Sequence, residues 1–356
     1  MYKAVSDAPL DEIFSGVIMR FDNHFAQELS YMSKYIGQEE DFVQAGGGNT
    51  SVKIDEKYML IKSSGVHLSE VSKNSGFSIV DYQMIKESLE KHLSTEDVLG
   101  KSLKEGNRPS IETFLHALMD VYTIHSHPLC VAMFACKKDG FLQLRELFPD
   151  AVMVDYAMPG IELARQCYKN MTEKRNAVVF LKNHGLIVSA RSKNEAVELH
   201  DYVIKRIYGL LNWNYSKHNT TKSIFNSIQH VDGDLIAYRS DFLKDEAKIL
   251  GMEENFAYTP DCVVYCGVKP CVISNLQNVS DELKWFTSQN GLPKMVIADG
   301  NAFVIAKSVR QAKNIESVFH YAFKIKRALG DKIETIKKDE ALNLLDWDAE
   351  KYRIKM

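Results

Sequence analysis

The chain is expected to fold as an α/β protein: helices around a mostly antiparallel or mixed sheet, followed by a smaller α/β domain. Three observations predict this. Segments with apolar residues at helical spacing alternate with short β-branched runs along most of the 356 residues. That length exceeds one average domain. The stretch NYSKHNTTKSIFNSIQHVDGD reads as polar and turn-rich, which places a boundary near residue 220 and gives domains 1–220 and 221–356.

Residues 12–37 read as one helix, with Ile13, Phe14, Val17, Ile18, Phe21, Phe25, Leu29 and Met32 at helical spacing. A strand–turn–strand follows, AGGGNTSVKID and then KYMLIKSSG. DYQMIKESLEKHL is again helical, and SLKEGNRPS reads as a loop. A helix start is signalled by Ser110, three residues before Thr113, and IETFLHALMD then turns Ile111, Phe114, Leu115 and Leu118 inward. The run Val121–His127 is a strand. Beyond it the pattern predicts a helix near Gly140–Leu147, the strand AVMVDYA and a helix over Pro159–Asn170. An apolar strand, Ala177–Leu181, then runs into the Asn-His-Gly turn of His184, and the helix SKNEAVELHDYVIKRIYGLLNW closes the first domain. The second domain reads as a helix over Tyr238–Leu250, strands at Cys262–Tyr265, Cys271–Ser274 and Lys294–Ala298, a long helix over Ser308–Leu329 and a helical tail, EALNLLDWDAEKYRIKM.

Composition narrows the function classes. Hydrophobic residues are 45% and charged residues 26%, an ordinary globular profile. The net charge of −3 comes without a basic block, so no nucleic-acid partner is expected. The N-terminus has charges among its apolar residues and no signal-peptide core, and no run is long enough to span a bilayer. A cytoplasmic location without a membrane partner is the default expectation. Cys262, Cys266 and Cys271 lie in the strand-like TPDCVVYCGVKPCVIS. Their spacing fits no zinc ribbon or knuckle, so small buried strand residues are the preferred reading over a thiolate cluster.

His125 and His127 stand two apart in a strand, so both imidazoles point to one face. His184 at a strand end offers a third imidazole, which would leave a coordination position open for a substrate oxygen. Gly185 and Pro128 mark strand ends where backbone can open to substrate. The alternatives are core histidines, or a rival pair of Glu112 and His116, four apart on a helix; His116 could also orient a ligand by its other nitrogen. Glu112, at a helix start, is the acid–base candidate, an ordinary first-turn glutamate being the plainer reading. The loop Ala45–Ser51 packs three glycines among short polar residues and offers backbone N–H groups to an oxyanion. Ser63-Ser64-Gly65 offers a second set, and Lys62 or Lys53 a counter-charge. A tight hairpin entry is the alternative for the glycine loop.

One internal echo stands out. HGLIVSARSKNEAVEL and DGNAFVIAKSVRQAKNI match with one inserted residue, as if the second domain reused a strand–turn–strand–helix unit with Asp299 where His184 stands. Chance similarity is the competing explanation. A true repeat would lack the His-x-His strand and be chemically silent.

In order, GGGNTSVK, IKSSG, PSIETFLHA, TIHSHP and KNHGLIVSA resemble the class II aldolase/adducin family, over roughly residues 12–215. The family includes L-fuculose-phosphate and L-rhamnulose-phosphate aldolases and L-ribulose-5-phosphate 4-epimerase. The remainder, with TPD, DGNAFVIAKS and LLDWDAEKY, resembles the second half of the aldolase part of aldolase–dehydrogenase fusions. The resemblance implies an α/β/α layered domain and a divalent metal, usually zinc, on His125, His127 and His184, with Glu112 as the acid–base carboxylate that also approaches the metal. It implies that Gly48, Asn49, Ser64, Gly65 and Ser110 hold a substrate phosphate. Two serines precede the glutamate in the fuculose enzyme; here Ile111 takes the second place, so one phosphate donor is missing. The family's proton donor from a neighbouring subunit has only Tyr156 as a candidate, against a core tyrosine. The implied activity is reversible cleavage of a ketose or ketose phosphate in a homo-oligomer, commonly a tetramer. The alternatives are 4-epimerisation or decarboxylation at the same site, or a non-catalytic adducin-like module, which would have no need of Glu112 and three histidines together.

Overall fold

Alternation along a strand decides which side chains share a face, and the first part of the chain is built on that rule. The structure is a computed structural model that describes residues 23–91, 93–171, 177–250 and 255–346. It divides into two units. One runs up to Ser33 and resumes over Asp41–Leu210; the other takes Lys34–Glu40 and the chain from Leu211.

Helix α1 (Asn23–Gly37) leads into strands β1 (Asn49–Lys53), β2 (Tyr58–Lys62) and β3 (Phe77–Asp81). Then come α2 (Tyr82–Ser88), α3 (Thr95–Ser102), β4 (Leu103–Gly106), α4 (Thr113–Leu118) and β5 (Tyr122–Ser126). The first unit ends with α5 (Leu129–Ala135), α6 (Gly140–Leu147), β6 (Val152–Val154), α7 (Ile161–Asn170), β7 (Val178–Leu181), β8 (Gly185–Ala190) and α8 (Lys193–Leu210). One sheet runs β4-β3-β2-β1-β5-β8-β7-β6. All neighbours are antiparallel except the parallel pair β6 and β7.

β5 is buried along its whole length, and its two faces meet different helices. Thr123 and His125 lie opposite Ser51 and Asn49 of β1, on the face where His116 of α4 reaches Ser51. Ile124 and Ser126 turn the other way. Ile124 pairs with Thr50, which bonds Ser33 of α1, and Ser126 bonds His200 of α8. Helices therefore cover both faces of the sheet. On the α4 side Met59, Ile61, Val179, Leu181 and Ile187 pack against Phe114, Leu115, Leu163 and Cys167. Each large apolar side chain buried this way contributes roughly 1.5–3 kcal/mol.

The second unit contains α9 (Ser216–Gln229), β9 (Ile236–Ser240), α10 (Asp241–Leu250), α11 (Pro260–Cys266), β10 (Cys271–Ile273) and α12 (Val279–Asn290). The hairpin β11 (Met295–Ala298) and β12 (Asn301–Ala306), the long α13 (Val309–Leu329) and α14 (Lys338–Asp346) complete it. Its sheet runs β10-β11-β12-β9, with β10 and β11 parallel and the other pairs antiparallel. Phe256 packs edge-on against Phe319 and Phe323 at centroid distances of 5.2 and 5.4 Å in its core.

Several elements differ from the sequence expectation. NYSKHNTTKSIFNSIQHVDGD carries helix α9, whose Thr220, Thr221, Ile224, Phe225 and Ile228 form a buried stripe, so the units part at Leu210 instead of near residue 220. Cys262 and Cys266 stand on a helix, not a strand: Thr259 Oγ1 accepts from the Cys262 N–H at 3.2 Å, and Pro260 occupies the first turn. The adjacent Val263 and Val264 had suggested a strand. All three cysteines in this stretch are buried free thiols, and burial pushes Cys271 up to about 12. SLKEG supplies the edge strand β4, polar because one side faces solvent. The helix expected over Tyr238–Leu250 starts at Asp241, the residues before it forming β9. Residues 12–22 of the expected first helix and the tail beyond residue 346 lie outside the described residues.

Replacing the fully buried Phe319 by Ala should cost about 3–5 kcal/mol in the second unit. Calorimetry should then resolve a separate, earlier transition; an unchanged thermogram would contradict this core.

Candidate metal centre

The centre is assembled at the ends of β5, β7 and β8 and at the start of α4. His125 is the penultimate residue of β5, and its Nδ1–H donates to the Leu186 carbonyl on β8 at 2.9 Å. That bond fixes the tautomer and leaves the Nε2 lone pair aimed into the site. His127 lies one residue past the strand and is anchored by its backbone N–H to the Phe42 carbonyl at 2.8 Å. His184 sits in the turn between β7 and β8, where Asn183 takes a left-handed φ of 55°. Gly185 follows, and only a glycine fits. An added Cβ would lie 2.4 Å from the Ser126 carbonyl oxygen and 2.9 Å from the His127 ring. Gly47 is similarly confined, its Cβ position lying 2.9 Å from His127 Nδ1.

Glu112 enters from the N-cap of α4. Its Oε1 lies 2.8 Å from His184 Nε2 and 3.3 Å from His125 Nε2. Its Oε2 accepts from the Asn49 amide at 2.7 Å, and Asn49 is the residue paired with His125 across β1 and β5. His125 Nε2 is 3.0 Å from His127 Nε2 and 3.3 Å from His184 Nε2. One ligand atom from each of the four residues lies within 4.8 Å of the others. A tetrahedral ion with bonds of about 2.0–2.1 Å needs nitrogens roughly 3.3 Å apart. The spacing and the donor chemistry therefore fit a divalent metal ion.

The electrostatics agree with that fit. Burial alone would push the Glu112 carboxyl up, but the facing His125 and His184 hold it well below the usual carboxylate range. Burial pushes His125 down, and the Glu112 charge outweighs it and raises the ring. His127 is pushed down to about 3 by burial and the neighbouring His125, which favours the neutral ring that a metal ion would need.

His116 takes no part in the cluster. It is buried against Ser51 Oγ at 2.7 Å, and burial pushes it down to about 3. The rival pairing of Glu112 with His116 is thus not brought together. Tyr156 is 63% exposed, so the core reading of that residue is incorrect.

The loops expected to hold an oxyanion lie beside this cluster. Gly48, at φ 68°, brings its backbone against the His125 carbonyl, where a Cβ would come within 3.0 Å. Ser64 and Gly65 form an exposed turn, the Ser64 N–H donating to Arg108 O at 2.8 Å. Ser110 is buried, and its Oγ accepts from the Glu112 N–H at 3.3 Å. The asparagine amide expected to meet substrate is engaged by Glu112, while the buried Asn49 Oδ1 lacks a partner among the described residues. Of the two candidate counter-charges, Lys53 caps α4 by donating to the Ala117 and Met119 carbonyls. Lys62 instead ties the two loops together, its Nζ donating to Val66 O at 2.6 Å and Gly46 O at 3.2 Å. Burial pushes Lys62 down to about 8, against the pull of Glu112. Sequence reading had missed the steric role of Gly47 and Gly185; the glycine after His184 was visible only as a turn marker.

The family model "Class II Aldolase and Adducin N-terminal domain" matches residues 27–207, about half of the chain. An uncharacterised oxidoreductase of Bacillus subtilis, YuxG, is 29% identical over 177 residues, 45% of this chain and 26% of that protein. The chain thus spans about a quarter of that relative's length. Among solved structures, the N-terminal class II aldolase domain of a conserved Thermoplasma acidophilum protein is 25% identical. It covers 59% of this chain and 97% of its own, with a TM-score of 0.47. A sugar-phosphate aldolase from Thermotoga maritima is 16% identical, covering 55% and 95%, with a TM-score of 0.42.

Gly185→Ala should force the cradle apart and lower the melting temperature by about 2–10 °C in scanning calorimetry. A melting temperature equal to the wild type would show that the rings do not depend on this glycine.

Proposed function

The chain belongs to the class II aldolase and adducin family, and from that premise we propose that it is a metal-dependent aldehyde-lyase. It would reversibly cleave a ketose or ketose phosphate into an aldehyde and a dihydroxyacetone-type fragment. The observation that carries this reading is the buried Glu112 carboxylate, 2.8 Å from His184 and inside a cluster of three imidazoles. His125, His127 and His184 would hold the ion, with Glu112 beside them. When bound, a divalent metal such as zinc supplies Lewis acidity toward carbonyl and hydroxyl oxygens and stabilises the negative charge left by carbon–carbon cleavage.

The remaining work falls to the protein's own groups. Cleavage leaves the bonding electron pair on the carbon next to the carbonyl. The hydroxyl on the carbon that becomes the aldehyde gives up its proton as the bond breaks. Glu112, ionised in the free site, takes up a proton and delivers one to the carbon that keeps the electron pair, and in the synthetic direction it takes that proton away. Asn49 holds the far carboxylate oxygen and so fixes the angle at which the near one meets the reacting carbon. Gly48, Asn49, Ser64, Gly65 and Ser110 are assigned to the substrate phosphate, Asn49 through the amide hydrogen that Glu112 does not take, with Lys62 as the nearby cation. No Schiff-base lysine is required.

His127→Ala should lose stoichiometric zinc in elemental analysis, and a full metal complement in that variant would remove it from the ligand set. Glu112→Gln should keep the metal yet slow proton exchange at the product carbon about 10²–10⁴-fold, followed by deuterium incorporation. A mass-resolved screen of ketose phosphates and their unphosphorylated forms tests the reaction type. Two fragments support the aldolase; an isomer or released carbon dioxide would replace it by an epimerase or a decarboxylase.

A further inference from the structure

The second unit repeats half of the first and changes its chemistry. Its strands β10-β11-β12-β9 follow the same directions as β6-β7-β8-β5, with a helix between the parallel strands and another after the hairpin. The hairpins close at Leu181 with Gly185 and at Ala298 with Asn301. One step on, Leu186 pairs with Ser126, and Ala302 with Ser240. Two steps on, Ile187 pairs with His125, and Phe303 with Arg239. By this register Arg239 stands where His125 stands and Asp241 where His127 stands. The second turn, Asp299-Gly300, is one residue shorter than Lys182-Asn183-His184, and counting back from β12 puts Gly300 at the place of His184. Asn183 and Asp299, one residue earlier in each turn, share a positive φ of 55° and 50°. The sequence alignment, which had put Asp299 at His184, is shifted by one.

The position is not filled in. A cavity of about 510 Å³ opens there, and its lining includes Lys217, Arg239, Asp241, Lys244, Asp299 and Asn301. Every lining side chain is polar or charged. Lys217, Arg239 and Lys244 share the lining with Asp241 and Asp299, and the buried Glu39 lies within electrostatic reach of Arg239. Arg239, only 13% exposed, donates to Asp241 Oδ1 at 2.6 Å, and the Asn301 amide donates to the Asp299 carbonyl at 2.9 Å. An arginine in place of His125 replaces an imidazole by a fixed positive charge with several donors, one of them held by Asp241. A wall built from polar and charged residues alone offers little to a hydrophobic ligand. Carboxylates and amides beside lysines suit hydroxyl groups carried next to a negative charge.

We propose that this pocket is a second binding site, without a metal, for a small polyhydroxylated anion: a sugar acid or a sugar phosphate. It stands independently of the lyase assignment, since none of its residues belongs to the first unit.

Hydrogen–deuterium exchange of the full-length chain, read by mass spectrometry, locates binding by peptide. Gluconate and 6-phosphogluconate are the two anionic probes; glucose and inorganic phosphate are the controls. Slowed exchange in peptides covering 214–217 and 299–301 with either anionic probe supports the site, and the probe that acts identifies a carboxylate or a phosphate ligand. The protection should survive Glu112→Gln, and its half-saturation concentration should rise at least tenfold in Lys217→Glu/Lys244→Glu and severalfold in the milder Lys244→Gln. Exchange of the unliganded variants checks that they fold. The proposal fails if protection is absent or confined to residues 45–66, if glucose or inorganic phosphate alone gives the same effect, or if Lys244→Gln binds as the parent does.

Discussion

Three imidazole nitrogens and one carboxylate oxygen meet within 4.8 Å in the first unit, and much of that unit's local structure serves to hold them there. Lone pairs at such separations repel unless positive charge sits among them, so the backbone must supply the constraint. It does so through register. The Leu186 carbonyl on β8 orients the His125 ring, and Asn49 of β1, opposite His125, restrains Glu112. Neighbouring strands thus act as the outer support of the cluster.

The same crowding accounts for the glycines. Gly185 and Gly47 lie where any Cβ would press on the His127 ring, and Gly48 lets the loop turn against the His125 carbonyl. The glycine-rich loop is therefore part of the wall of the cluster as well as a source of backbone donors. Lys62 links the two functions. Buried between the glycine loop and the Ser-Ser-Gly turn, it saturates carbonyls of both and lies within electrostatic reach of Glu112. The facing His125 and His184 keep ionised a carboxylate that burial would otherwise protonate, and that carboxylate in turn favours the Lys62 charge against its own burial.

The second unit shows how little the scaffold itself dictates. Its sheet has the strand directions of half of the first, and β12 pairs with β9 as β8 pairs with β5, yet arginine and aspartate occupy the positions of His125 and His127 and a shorter turn stands in place of the His184 turn. Strand positions at the hairpin end present side chains to a common space, and the residues placed there decide whether that space suits a metal or an anion.

Much of this was legible in the chain. Strand alternation alone puts His125 and His127 on one face, and helical spacing marks α4, α7, α8 and α13. Short elements were less readable: seven residues with two adjacent valines after Thr259 carry too little periodicity to separate helix from strand, and the polar β4 resembles a loop. What the sequence by itself determined was the inventory of donors and their local directions, because period and capping are properties of neighbours in the chain. Only the tertiary structure decided that Glu112 meets His184 while His116 turns to Ser51, that Lys62 and not Lys53 faces the glycine loop, and that Asp299 shares a cavity with Arg239. Those pairings join residues far apart in the chain, and they follow from strand order and register, which no local pattern encodes.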